Sequence, residues 1–201
     1  MVPVVAPILA LLLSACGDTP VAEALRGVLP SAEAPNPPAA PPSPDGPGLR
    51  LAGPRQSIGF TLAQQTGNRR LWRADGGIAV ATEGPRITAT AGLGQMLTAT
   101  RQEGPEPLDD VLALMGNPGS TRRTVDLAGA SREPSTMRFG LVIECRLTAS
   151  RRLGEILVRE ECTSPAGAFV NRFWADPETG AVLRSEQWVG NEAPAVTMEM
   201  R

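Results

Sequence analysis

Histidine, tyrosine and lysine are all absent from this 201-residue chain. Without histidine there is no Ser-His-Asp triad, no imidazole acid–base catalysis and no His-ligated zinc. Without lysine every basic residue is arginine, a bias expected of GC-rich codon usage rather than of phosphate chemistry. Net charge is -2, so no basic field holds nucleic acid. Aromatic residues make up only 3% of the chain, so the three Trp and four Phe must supply most of its large side chains. Cysteine is also scarce, with three residues, Cys16, Cys145 and Cys162.

Long apolar runs are missing too. The uncharged run from Val2 to Ala15 falls short of the roughly 20 residues that a membrane-spanning helix needs. Pro3 and Pro7 argue against a buried helix, where each would cost about 3 kcal/mol. The run fits the apolar part of an export signal, although no Lys or Arg precedes it. It ends in Leu13-Ser14-Ala15-Cys16, the pattern read by a bacterial lipoprotein signal peptidase. The expectation is therefore a signal peptide over residues 1–15 and a lipid on Cys16. Gly17 rather than Asp follows, which favours the outer membrane over the inner, with the protein facing the periplasm. Two or three acyl chains anchor firmly where one holds only marginally.

Residues 16–54 read as a lipidated N-terminus and a disordered linker. Positions 30–48 are dominated by Pro, Ala and Ser and hold too few large apolar residues to fold. At about 3.1 Å per residue, the stretch from Cys16 to Arg50 reaches roughly 100 Å when extended.

From residue 55 to 201 short alternating runs are separated by Gly, Pro, Asn and Asp, which predicts a mainly β domain. Strands are expected at 57–64, 69–74, 78–82 and 86–90, then at 120–127, 137–148, 155–163, 168–175, 181–189 and 195–200. Asp75-Gly76-Gly77 and the stretch from Asp176 to Gly180 are strong turn chemistry. One short helix is expected where Leu108, Val111, Leu112 and Met115 form an apolar stripe behind Pro107. The predicted architecture is an antiparallel meander curled into a barrel or sandwich.

If Cys16 carries lipid, Cys145 and Cys162 remain, and an oxidising compartment allows them one pairing. Their strands flank an expected turn at 149–154, which sets the thiols roughly opposite each other. A bridge closing this loop would stabilise by roughly 3 kcal/mol. Two buried free thiols are the competing reading.

Two segments resemble a known family. One is Asn68-Arg69-Arg70-Leu71-Trp72-Arg73-Ala74-Asp75-Gly76, with the strand from Ile87 to Gly94 after it. The other runs through Glu161-Cys162, Phe169-Val170-Asn171-Arg172-Phe173-Trp174-Ala175-Asp176 and Gly180 to Arg184-Ser185-Glu186-Gln187-Trp188-Val189-Gly190. In this order of Cys, Asn-x-x-Trp and Gln-Trp-Val-Gly, the chain resembles the YjbF/GfcB lipoproteins of bacterial exopolysaccharide and capsule gene clusters. The resemblance extends from about Gly67 to the C-terminus. Glu186 and Asn191 stand where family members often have Arg and Pro. It implies a barrel-like envelope lipoprotein that assists production or secretion of an extracellular polysaccharide, and it transfers no catalytic residue.

The candidate contacts for a glycan or a partner protein, such as a polysaccharide export protein, are Trp72, Asn171, Arg172, Trp174, Arg184, Gln187 and Trp188. Against each Trp stands ordinary core packing. A polysaccharide-modifying or -cleaving enzyme is the alternative reading, and it requires two carboxylates facing each other across a cleft. Asp109 and Asp110 sit in a helical first turn, and Glu160 and Glu161 point to opposite faces of one strand. A long-range pair such as Asp75 with Asp176 stays open. Gly92-Leu93-Gly94 lacks the rest of a phosphate loop. No cofactor, metal or catalytic residue is expected.

Overall fold

The computed structural model describes residues 48–52, 57–131, 133–191 and 195–200. The expected signal peptide, Cys16 and nearly all of the Pro-rich stretch lie outside them. The described chain forms twelve antiparallel strands. They are β1 (Gly48–Ala52), β2 (Ser57–Thr66), β3 (Arg69–Arg73), β4 (Ala79–Glu83), β5 (Arg86–Ala91), β6 (Met96–Glu103), β7 (Gly119–Ala128), β8 (Arg138–Arg152), β9 (Glu155–Ser164), β10 (Gly167–Ala175), β11 (Val182–Gln187) and β12 (Val196–Met200). Their order in the single sheet is β5-β4-β3-β2-β1-β12-β11-β10-β9-β8-β7-β6.

The sheet curls until its two edges, β5 and β6, approach each other and nearly close a barrel. Near the turn between them, Leu97 N donates to Thr90 Oγ1 at 3.0 Å. Across the interior, Ile87 N of β5 donates to Gln187 Oε1 of β11, also at 3.0 Å.

Alternation decides which side chains enter this interior. On β9, Ile156, Val158, Glu160 and Cys162 are buried, while Arg159 and Glu161 between them are exposed. The outward faces carry ion pairs such as Arg122 with Glu144, Arg159 with Glu161 and Arg172 with Glu186. A face of this kind meets water rather than acyl chains.

Two apolar clusters fill the inside. One gathers Leu49, Phe60, Trp72, Leu97, Val125, Ile143 and Met198 with the two cysteines. The other packs Leu147, Ile156, Val158, Phe173 and Ala175 of the barrel wall against the helical plug. The plug is a 3-10 turn, Pro107–Asp110, that runs into a single α-helical turn, α1 (Val111–Leu114). Glu106 and Asp110 cap these turns by accepting from Leu108 N and Ala113 N. Because the segment starts as a 3-10 turn, its buried residues are Leu108, Val111 and Leu114. Leu112 and Met115 of the expected stripe are exposed.

The sheet also differs from expectation at three places. Residues 149–152 of the expected turn continue β8 in register with β9, so the hairpin turns on Leu153 and Gly154 alone. Strand β1 lies within the stretch read as linker to residue 54 and pairs with both β2 and β12. Leu49 and Leu51 supply the alternation that buries it, in a segment too short for the pattern to stand out beside the proline run. Strand β6 occupies residues for which the sequence pattern predicts no element. A bulge between Leu97 and Ala99 breaks its alternation, and its inward side chains beyond the bulge, Thr100 and Gln102, are polar.

The expected disulfide is present. Cys145 and Cys162 are register partners on β8 and β9, with Cα atoms 4.1 Å apart. The hairpin that aligns them turns on Leu153 and Gly154, both at positive φ, 49° and 88°. This is the two-residue turn whose twist matches the flanking strands.

Candidate functional site

Between the two apolar clusters the barrel encloses a layer of charge. Alternation puts Glu160 on the inward face between Val158 and Cys162, where it is fully buried. Arg86, the first residue of β5, and Arg123, on the inward face of β7, are 3% and 4% exposed. Arg86 grips two carboxylates at once. Its Nη1 and Nη2 donate to Glu160 at 3.1 and 2.9 Å, and its Nε and Nη2 donate to Glu106. Arg123 Nη1 donates to Glu160 Oε1 at 3.0 Å and to Thr121 Oγ1 at 3.3 Å. Asn171 Nδ2 completes the set with a 2.6 Å bond to Glu160 Oε2.

Two arginines thus face two carboxylates, and the layer is neutral. Burial opposes the charge on Glu160, but Arg86, Arg123 and the hydrogen bonds of Arg86 and Asn171 overcome it and hold the carboxyl at about 2. Burial likewise opposes the charge on Arg86, and Glu160 and Glu106 outweigh it, so its pKa is raised. Arg123 is pulled down by burial first and then by the nearby Arg86 cation, against the attraction of Glu160.

Ligand-type atoms of Cys145, Glu160 and Cys162 lie within 4.8 Å of one another. The sulfurs are bonded to each other and the carboxylate is committed to both arginines, so this group offers no donor set to a metal.

The layer connects to the outside through the barrel seam. A cleft of about 640 Å³ opens where β5 and β6 face each other without pairing. Arg86 and Glu106 line it together with Thr88 on β5 and Thr100 and Gln102 on β6. The exposed ion pair of Arg69 with Glu83, 3.3 Å apart, stands at its rim.

The seven side chains singled out as contacts do not form one surface. Trp72 is core, with its Nε1 donating to Thr82 Oγ1 at 3.1 Å. Asn171 and Gln187 point inward as supports. Asn171 Oδ1 accepts from Trp188 N at 2.7 Å, and Gln187 Nε2 donates to Pro85 O and Ser185 Oγ. Gln187 thereby ties β11 to the start of β5. Arg172, Trp174 and Arg184 are on the outer face. Arg172 pairs with Glu186 at 3.0 Å, and the Arg184 guanidinium lies 4.0 Å from the centre of the Trp174 ring. Trp188 stacks on Phe169 with ring centres 4.4 Å apart, and its Nε1 donates to Asn191.

Sequence reasoning passed over Arg86, Arg123, Glu106, Thr100 and Gln102, and weighed Glu160 only as half of a catalytic pair with Glu161. For Glu160 a signal existed, since it shares strand parity with Ile156, Val158 and Cys162. Arg123 shares parity with Val125 in the same way. Glu106 and Arg86 carry no local sign of their pairing, which depends on curling of the sheet.

Comparison with known proteins matches this architecture. Residues 50–200 match the family described as "Group 4 capsule polysaccharide lipoprotein gfcB, YjbF". Among solved structures, the hypothetical lipoprotein YmcC from Escherichia coli (K12) is similar, with a TM-score of 0.64 and 22% sequence identity. The similarity covers 77% of this chain and 82% of that one. At that identity the likeness bears on the fold. No curated protein matches the sequence.

Proposed function

Since this chain belongs to the YjbF/GfcB family of group 4 capsule polysaccharide lipoproteins, we propose that it assists assembly or secretion of an extracellular polysaccharide by binding. Its occupant is the nascent glycan or a protein of the export machinery, and it carries out no chemistry of its own. A lipid on Cys16 holds it at the outer membrane, facing the periplasm, and the Pro-rich stretch behind Cys16 gives the β domain reach.

The observation that carries the binding reading is that Arg86 commits two carboxylates at once, Glu106 in the cleft wall and Glu160 buried behind it. Glycoside hydrolysis needs one carboxyl kept protonated and a second free to act as nucleophile or base. Glu160 is held at about 2, the opposite of a general acid. Both oxygens of Glu106 are taken by Arg86. Carboxylates committed in this way suit holding an occupant rather than transferring protons, which supports the binding reading.

The test is deletion of the gene, with complementation by wild type and by Cys16→Ser. Surface polysaccharide is expected to fall or change in composition, wild type to restore it, and the variant to fail to do so. Unchanged quantity and composition after deletion would refute the proposal.

A further inference from the structure

Three buried polar atoms, Thr100 Oγ1 and the Oε1 and Nε2 of Gln102, have no hydrogen-bond partner among the described residues. Both side chains belong to β6 and, two residues apart, point to the same side of it. That side faces the barrel interior, opposite Val125 and Arg123, and both residues line the seam cleft. Burying a donor or acceptor unpaired costs about 1–3 kcal/mol, so three such atoms on one wall mark a surface shaped for something other than the domain's own stability.

The chemistry of the wall selects the occupant. A carboxamide asks for an acceptor and a donor together, and a hydroxyl offers both. A phosphate or a carboxylate supplies acceptors only and would leave Gln102 Oε1 unpaired; an ammonium supplies donors only. The charged residues lining the cleft, Arg69, Arg86 and Arg101 against Glu83, Glu106 and Asp109, cancel. Two of those arginines are already paired with two of those acids, Arg69 with Glu83 and Arg86 with Glu106. The lining has no aromatic or long aliphatic side chain to hold an apolar ligand. A volume of about 640 Å³ is that of an ordinary small-ligand site.

An extended peptide is the other polymer rich in donors and acceptors, and a free sheet edge is where one would add. Here the edge is partly sealed from within, because Ile87 N is bonded to Gln187 and Leu97 N to Thr90.

We infer that the seam cleft is a saccharide subsite. It holds an uncharged, hydroxyl-rich segment of a polysaccharide chain against Thr100 and Gln102, with the Arg86–Glu106 pair as a rigid floor. This rests on the proposed role in polysaccharide assembly or secretion and gives that role a place on the molecule.

The probe is a set of short oligosaccharides, released by partial acid hydrolysis from the source bacterium's own extracellular polysaccharide. They are titrated by calorimetry into the full-length lipidated chain in detergent. The double variant Thr100→Val/Gln102→Leu keeps the shapes and removes the three atoms. It is expected to bind about tenfold or more weakly, the effect of losing one or two hydrogen bonds. Its urea midpoint should be unchanged or raised, because unpaired buried groups have been removed. Trp174→Ala, on the outer face, should bind as wild type does. Equal binding by wild type and the double variant would overturn the assignment, as would no binding by wild type or displacement of the saccharide by an export-protein peptide. Each of those results leaves the polysaccharide role itself to the deletion test.

Discussion

Replacing Glu160 with glutamine removes one charge from the centre of the barrel and leaves the side-chain shape almost unchanged. Glu160 accepts five hydrogen bonds from three side chains, Arg86, Arg123 and Asn171. In Glu160→Gln one of the accepting oxygens becomes an NH₂ group that faces donors. The two buried arginines then share only Glu106, and a net positive charge is left inside. Removing one partner of a buried ion pair costs about 3–5 kcal/mol. Linkage gives a similar figure. A carboxyl moved from 4.5 in the unfolded chain to about 2 when folded contributes about 3 kcal/mol at neutral pH. Against a typical total of about 5–15 kcal/mol, the variant is expected to be marginally folded.

Equilibrium urea unfolding at neutral pH measures the gap between wild type and variant, and a pH series tests its origin. The folded pKa lies below the unfolded one, so the contribution of Glu160 is fully present above about 4.5 and fades as pH falls toward about 2. The variant has no such contribution to lose, so the gap should narrow with acid. A second substitution, Arg123→Met, removes the stranded charge and should restore part of the loss in Glu160→Gln, since the two residues touch. A gap below about 1 kcal/mol at neutral pH, or one that stays constant down to about pH 2.5, would refute the charge-layer account.

Three further outcomes are expected. Cys145→Ala/Cys162→Ala should lower unfolding free energy by about 3 kcal/mol, measured against unreduced wild type, and labelling of denatured, unreduced wild type should find neither Cys145 nor Cys162 free. Asn171→Ala should cost about 2–3 kcal/mol, since it strips a partner from both Glu160 and Trp188 N, and it should shift Trp fluorescence. Asn171→Asp should be worse at neutral pH, because it sets a second carboxylate against Glu160. Trp174→Ala should cost only about 0.5–1 kcal/mol in urea unfolding, because its contact with Arg184 is on the outer face.

Most of the sheet was legible from alternation and turn chemistry, and the strands of the second half fall close to their expected bounds. The hairpin between β8 and β9 was clear enough to align the disulfide, because apolar inward residues on both strands fix the register. Strand β6 was not legible, because its bulge and its inward Thr100 and Gln102 remove the pattern that marks a strand. The same two residues are what make it of interest. The aromatic residues misled for the opposite reason. In a chain so poor in rings, Trp72 was needed for the core, and Trp174 and Asn171 of one strand point to opposite sides of the sheet. The charge layer escaped because Arg86 and Glu160 are brought together only when the sheet curls and the Arg86 side chain reaches across the interior to β9, and local sequence carries no trace of that meeting.

Every strand pairing but one joins neighbours in sequence. The exception is β1 with β12, where Leu49 meets Met200 across almost the whole domain. The chain is therefore two locally zipped blocks, β1 to β5 and β6 to β12, spliced at their outer ends. Hairpin-by-hairpin zipping closes only short loops, so the entropy of long-range closure is concentrated in that single splice. If Cys16 carries the proposed lipid, the splice also stands where a pull on that anchor enters the sheet. Force on a lipid anchor would load β1 first, between β2 and β12, and the seam on the far side of the ring would feel it last.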